Sequence, residues 1–312
     1  MVAAILICLS SAAVACAQMP TDFKAIWKDK MLSYGERYCH TGDQFYDAIR
    51  VYYQIAEYTG NAKWERCVET YIRSYRDGYL TNHKYGSMGH WIFPHGLMMH
   101  YQRTGDEKSK NAVLGLAQKA AFAYAPLDYT AASTSSREVA YNLEAKVLAE
   151  ELGYKDDKRI KEMADQALGH YDQWFVSKTA PYLQPFMAAL TAEALIMWYD
   201  KTKDPRVLPA LKTGADWMWE HMWVPKQGYF KYMTGDDTPA ADLNLLIAPL
   251  YGWLYKMTGD AKYRNMGDTI FEWGITTGYL ESPKHFIQNY RWSFNYFVWR
   301  GDPVPGNRTA PK

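Results

Sequence analysis

The sequence predicts an all-α fold, an (α/α)6-type toroid of helical hairpins. Two observations carry this: a turn that recurs along the chain, and helically spaced apolar residues on both sides of each copy. The fullest copy is Tyr255-Lys256-Met257-Thr258-Gly259-Asp260-Ala261-Lys262-Tyr263. Gly259 is suited to a left-handed helix end, and Asp260 to capping the helix that follows. Looser copies lie at 58–64, 101–108, 152–156 and 199–206, each with Gly or Lys before Asp, Asn or a Tyr-Lys-Asp run. A spacing of roughly 45 to 55 residues marks a repeat architecture. Five hairpins are clear, and the terminal helices are expected to form the sixth. An open helical solenoid is the structural alternative.

In chain order, residues 21–34 give an entry helix. Residues 44–58 carry Phe45, Ala48, Ile49, Tyr52, Ile55 and Ala56 at helical spacing, and Trp64, Val68, Tyr71 and Ile72 repeat it after the turn. The second hairpin spans about 88–123, and Pro94 either kinks its first helix or marks the true start. A Ser/Thr-rich loop at 130–136 precedes the third hairpin (137–152 and 158–175), with Ser135 or Ser136 as N-cap and Glu138 at the positive helix end. The fourth covers 184–199 and 205–221. Residues 223–240 form the longest non-helical stretch, where Gly228 to Met233 alternates as in a small β-ribbon. The fifth hairpin covers 242–257 and 262–275, and one last helix covers 287–299.

The 312 residues are 48% hydrophobic, enough for a large core, and residues 18–312 are expected to form a single domain. A net charge of +1, from 35 basic and 34 acidic residues, argues against a nucleic-acid footprint or a polybasic membrane surface. Residues 1–17 form an apolar run ending in Ala15-Cys16-Ala17, which reads as a signal peptide, so the protein is expected to be exported to the periplasm or beyond. Ala13-Val14-Ala15-Cys16 also permits a lipid anchor on Cys16. Export leaves Cys39 and Cys67, which are free to pair or to stay apart.

In each hairpin the helix before the turn is richer in small and apolar residues, so it is expected to be the inner one. The recurring turns then occupy one rim, and a ligand cleft is expected at the other, where the inner helices begin. Those starts are dense in polar side chains: Asp47 and Arg50; His90 and His95; Arg137, Glu138 and Tyr141; Asp242 and Asn244; and Gln288, Asn289, Tyr290, Arg291 and Trp292. Capping alone needs about one Ser or Asp at each. His90 and His95 are five residues apart and do not share a helix face, so no metal site is expected. No phosphate loop, nucleophile elbow or dinucleotide motif is present, and no cofactor is expected.

The repeated Tyr-x-x-Thr-Gly-Asp-x-Lys-Tyr hairpins, the aromatic richness (26 Tyr, 12 Trp, 11 Phe) and the export signal resemble the six-hairpin glycosidase and α/α-barrel polysaccharide lyase group. The resemblance is architectural and covers nearly all of the mature chain. It implies a carbohydrate-active enzyme with a saccharide in the inner-helix cleft. A glycoside hydrolase needs a carboxylate pair; Glu138 is the expected acid and Asp242 the expected base, with Asn244 beside it. A uronate lyase needs a Tyr or His to take the C5 proton and a cation or amide to neutralise the carboxylate. His95 and Tyr290 are candidates for the first role and Arg291 and Asn289 for the second. Asn82-His83-x-Tyr85 resembles the Asn-His-x-Tyr segment of α/α-barrel alginate lyases, although Lys84 and Gly86 depart from that pattern. A noncatalytic glycan-binding protein and a sugar epimerase are the remaining readings.

Overall fold

The computed structural model describes residues 23–124 and 132–302; the signal-peptide segment and Cys16 lie outside them. The chain is all-α with one small ribbon. Helix α1 (Phe23–Tyr38) is followed by α2 (Ala48–Thr59), α3 (Glu65–Tyr71) with a π-helical continuation over Ile72–Leu80, α4 (Pro94–Thr104) and α5 (Glu107–Lys119). Then come α6 (Ala132–Glu150), α7 (Asp157–Phe175), α8 (Pro185–Thr202), α9 (Val207–His221), α10 (Asn244–Thr258) and α11 (Ala261–Thr277). Helices α12 (Pro283–Tyr290) and α13 (Ser293–Arg300) end the described chain. The ribbon of β1 (Trp223–Val224), β2 (Tyr229–Met233) and β3 (Asp236–Pro239) is antiparallel in the order β1-β2-β3, with Trp223 opposite Phe230 and Met233 opposite Asp236.

Three copies of the recurring turn share one hydrogen-bond scheme. At Gly259, φ is 70° and the amide donates to Tyr255 O at 2.8 Å; Asp260 N donates to Thr258 Oγ1, and Asp260 Oδ1 accepts from Lys262 N at 2.9 Å. Thr104-Gly105-Asp106 and Thr202-Lys203-Asp204 repeat every bond. The Thr hydroxyl and the Asp carboxylate thus satisfy amides that the helix ends leave open.

Helices α2, α4, α6, α8 and α10 each touch the next of the set, α10 touches α12 and α13, and α12 touches α2, so the order of neighbours returns to its start. Helices α3, α5, α7, α9 and α11 each pack on the helix before them, and α1 touches α11 and α12. Small residues let the first set approach closely: α6, α8 and α10 are buried along most of their length. The terminal helices join through Trp27, fully buried, whose ring meets Tyr290, Phe294 and Phe297 at 4.9–5.4 Å and whose indole donates to Ser293 Oγ. Cys39 and Cys67 form a disulfide that ties the end of α1 to α3.

Two sequence expectations are corrected. Residues 132–136 are the first turn of α6 and not a loop, and Ser135 and Ser136 are buried there, so neither is an exposed cap and Glu138 is interior to the helix. The last helix is broken at Arg291 and Trp292, because the Arg291 guanidinium turns into a buried cluster of carboxylates while Trp292 packs edge-on against Trp299 at 5.7 Å. Among the described residues no helix is long and apolar enough to cross a membrane.

Candidate functional site

The entry to α2 places two consecutive non-glycine residues, Tyr46 and Asp47, in the left-handed region (φ 55° and 60°). Such strain persists only where surrounding bonds hold it. Here Asp47 supplies them: its carboxylate accepts from Arg50 N at 3.2 Å and from Gly96 N at 3.0 Å, clamping the start of α2 to α4. Gly96 is required for this approach, since a Cβ there would overlap Asp47 and the α2 backbone. Asp47 therefore acts as a clamp, buried and with both oxygens accepting from backbone amides.

Beside it opens a small cleft of about 50 Å³ lined by Phe45, Tyr46, His90, Arg137, Tyr141 and Lys284. These residues come from the segment before α2, the turn before α4, the first half of α6 and the first turn of α12. The lining is cationic and aromatic. Tyr141 is almost fully buried and its hydroxyl has no partner among the described residues. Burial holds the Tyr46 and Tyr141 hydroxyls above the usual tyrosine range, with neighbouring arginines pulling the other way, so both remain proton donors at neutral pH. Burial, with Arg137 adding to it, pushes His90 below its ordinary value, leaving a neutral imidazole.

The two expected carboxylates flank this cleft. Glu138 Oε1 pairs with Arg137 Nη2 at 3.0 Å. Gly89 makes room for it, because a Cβ on Gly89 would overlap Glu138 Cγ. Asp242 lies 3.4 Å from His285 Nε2, and burial raises its carboxyl against the opposing pull of His285 and Lys284. Lys284 is also an electrostatic neighbour of His90, and Asp242 of Tyr46, so both carboxylates belong to one group of interacting charges.

Beneath the cleft is a charge network that the sequence reading only half found. Arg291 donates to Glu193 Oε2 at 3.1 Å and to Glu144 Oε2 at 2.8 Å, Arg50 pairs with Glu193 Oε1 at 2.5 Å, and His95 Nε2 sits 3.3 Å from Glu144 Oε2. The Arg291 guanidinium lies 4.7 Å from the centre of the Tyr141 ring and so links the network to the cleft. Burial drives His95 down to about 3, so it is neutral and is a member of this network, not a lining base. His95, Glu144 and Glu193 bring ligand-type atoms within 4.8 Å of one another, but the two guanidiniums already neutralise the carboxylates and oppose a further cation.

Other expected site residues serve the scaffold. Tyr290 is fully buried and donates to Trp27 O at 2.8 Å, so its hydroxyl faces the α1 packing and takes no proton from a ligand in the cleft. Asn244 is buried and donates to Gly228 O at 2.9 Å, holding the ribbon. Asn289 donates to His285 O and Gln288 to Asp242 O; Trp292 is core. His83 Nδ1 faces Tyr79 O at 2.7 Å, and Tyr85 packs over Gly115. Glu144 and Glu193 were missed, although each is an acid set between apolar residues in the middle of its helix (Leu143 and Ala145, Ala192 and Ala194), which was the available signal. A wider groove of about 800 Å³ lies at the other end of α6 and α8, lined by Glu150, Glu151, Tyr154, Asp200 and Lys201 among others. It is an open space between hairpin turns, where Glu150 and Lys201 pair with each other, and it lacks the buried, convergent donors of the smaller cleft.

Compared with known proteins, the chain matches no family model, no curated protein and no solved structure, so the reading of this site rests on its own geometry.

Proposed function

We propose that the closed circuit of helices is an (α/α)6 toroid and that the protein is an exported enzyme that cleaves an acidic saccharide by β-elimination at the Tyr46/His90/Arg137 cleft. The observation that carries this reading is the lining itself: two cations, a neutral imidazole and two protonated tyrosines, with both flanking carboxylates engaged by Arg137 and His285. A volume of about 50 Å³ suits a carboxylate group better than a whole sugar ring, which would lie across the mouth. Arg137 and Lys284 neutralise the uronate carboxylate and stabilise the charge that develops on it as the C5 proton leaves. His90 takes that proton; the electron pair forms the C4–C5 double bond as the bond from C4 to the glycosidic oxygen breaks, and Tyr46 protonates the departing oxygen. Solvent returns the proton from His90 to Tyr46. The Cys39–Cys67 disulfide supports export, since such bonds persist in oxidising compartments.

Hydrolysis is the second reading, favoured by the raised Asp242 carboxyl, which suits the proton-bearing partner of a carboxylate pair. Glu138, already paired with Arg137, would then be the base, the reverse of the roles expected from sequence. Incubation with a panel of acidic and neutral polysaccharides, following both new reducing ends and the ultraviolet absorbance of unsaturated uronates, separates the readings. Elimination gives both signals and loses roughly 10²–10⁴-fold in rate on His90→Ala. Reducing ends without the ultraviolet signal, abolished by Asp242→Asn, establish hydrolysis. Binding without turnover of any substrate overturns both in favour of a glycan-binding protein.

A further inference from the structure

Phe122 is a large apolar residue left 41% exposed, on a loop between α5 and α6, and its φ of 69° is one that L side chains rarely adopt. The loop is nonetheless firmly held. Ala121 N donates to Ser87 O at 2.8 Å, the buried Asn142 amide donates to Ala121 O at 2.8 Å, and Arg159 Nε donates to Ala123 O at 3.1 Å. Hydrogen bonds on both sides of Phe122 thus fix an exposed ring in a strained backbone. Neither strain nor exposure helps folding, which is the pattern found where a residue is held for a ligand.

Its position says which ligand. The ring edge, Phe122 Cε2, lies 3.3 Å from where a Cβ on Gly89 would sit, the same position that the Glu138 side chain crowds. Gly89 precedes the cleft residue His90, and Glu138 follows the cleft residue Arg137. The platform therefore continues the cleft on the Glu138 side, and Met88, the residue before Gly89, is also exposed. A flat apolar ring at the edge of a polar cleft matches the C–H face of a pyranose. We propose that Phe122 is a stacking subsite for the sugar ring next to the one whose carboxylate enters the cleft. This inference rests on the saccharide reading of that cleft.

The test compares the wild-type protein with Phe122→Ala and Phe122→Gly, using uronate oligosaccharides of increasing length and measuring calorimetric affinity, KM, kcat and Tm. Both variants are expected to weaken binding of chains long enough to reach Phe122 by about tenfold, mainly through KM. Phe122→Gly is expected to keep or raise Tm, because glycine accepts a positive φ. Unchanged affinity and KM at every length, with turnover intact, would overturn the stacking subsite and leave the cleft reading standing. A Phe122→Gly variant that loses Tm and affinity together would assign the ring a packing role and overturn the proposal. No binding or turnover of any uronate oligosaccharide by the wild-type protein would overturn both readings.

Discussion

Gly89 decides how close Glu138 comes to the cleft. A methyl group there overlaps the Glu138 side chain, so Gly89→Ala forces the carboxylate aside and strains its ion pair with Arg137. Misplacing a group at a reacting centre is expected to lower kcat/KM roughly 10²-fold, while overpacking destabilises by about 1–3 kcal/mol. Steady-state kinetics beside a urea unfolding curve separate the two effects, and undiminished kcat/KM would show that the placement of Glu138 is immaterial. At this scale the sequence was partly legible. His90, Arg137, Glu138, Tyr141 and Asp242 stood out because polar residues crowd the helix starts, and they do gather around one cleft. Tyr290, the last residue of α12, did not follow Arg291, the first residue of the break, because the two side chains leave the backbone in different directions. One therefore turns to Trp27 and the other to Glu144 and Glu193. That Arg291 pairs with Glu144 and Glu193 was illegible, because long-range pairing of α6, α8 and the α12–α13 break has no local sequence pattern.

Among the hairpin turns, the fourth departs from three of the others in a way that tests the scheme. Gly60, Gly105 and Gly259 hold φ of 64–70° at their helix ends, and the equivalent position in the fourth hairpin is Lys203, at 56°. Non-glycine residues pay roughly 1–2 kcal/mol for the left-handed conformation, and glycine recovers part of this despite its greater freedom when unfolded. Lys203→Gly is therefore expected to stabilise by about 0.5–1 kcal/mol. Its ammonium is largely exposed and its 3.8 Å pairing with Asp200 contributes little. A lower urea midpoint for this variant would count against the cap account. Turns and periodic helices were the legible part of the fold, because a cap is written in three adjacent residues. The start of α6 was not, since Ala132 to Ser136 carries loop-like composition yet is helical, burying Ala132, Ser135 and Ser136. The π-helical stretch over Ile72–Leu80 was also not anticipated.

For the molecule as a whole, the buried charges matter most where they bring distant segments together. Arg50 from α2, His95 from α4, Glu144 from α6, Glu193 from α8 and Arg291 from the α12–α13 break meet in one network. Glu193→Ala leaves two guanidiniums without their shared partner and is expected to cost about 3–5 kcal/mol. Urea unfolding measures this, and a loss below about 1 kcal/mol, the range of a surface pair, would show that the network does not hold those segments together. Acid should expose a different weakness. His170 on α7 is fully buried beside Trp174, neither ring nitrogen has a partner among the described residues, and burial lowers it to about 4. The unfolded chain binds that proton near pH 6.5. Between about 6.5 and 4 the unfolded state takes up a proton that the folded state refuses, so stability is fully present above 6.5 and falls as pH drops through this window. At about 1.4 kcal/mol per pH unit, the loss from this residue is about 3 kcal/mol, levelling off below the folded value. Substituting His170→Phe removes both the titration and two buried ring nitrogens. The variant should be at least as stable at pH 7.5 and should unfold at pH 4.5 with a visibly smaller loss than the wild type. Parallel slopes for the two proteins across that window would place the acid sensitivity elsewhere.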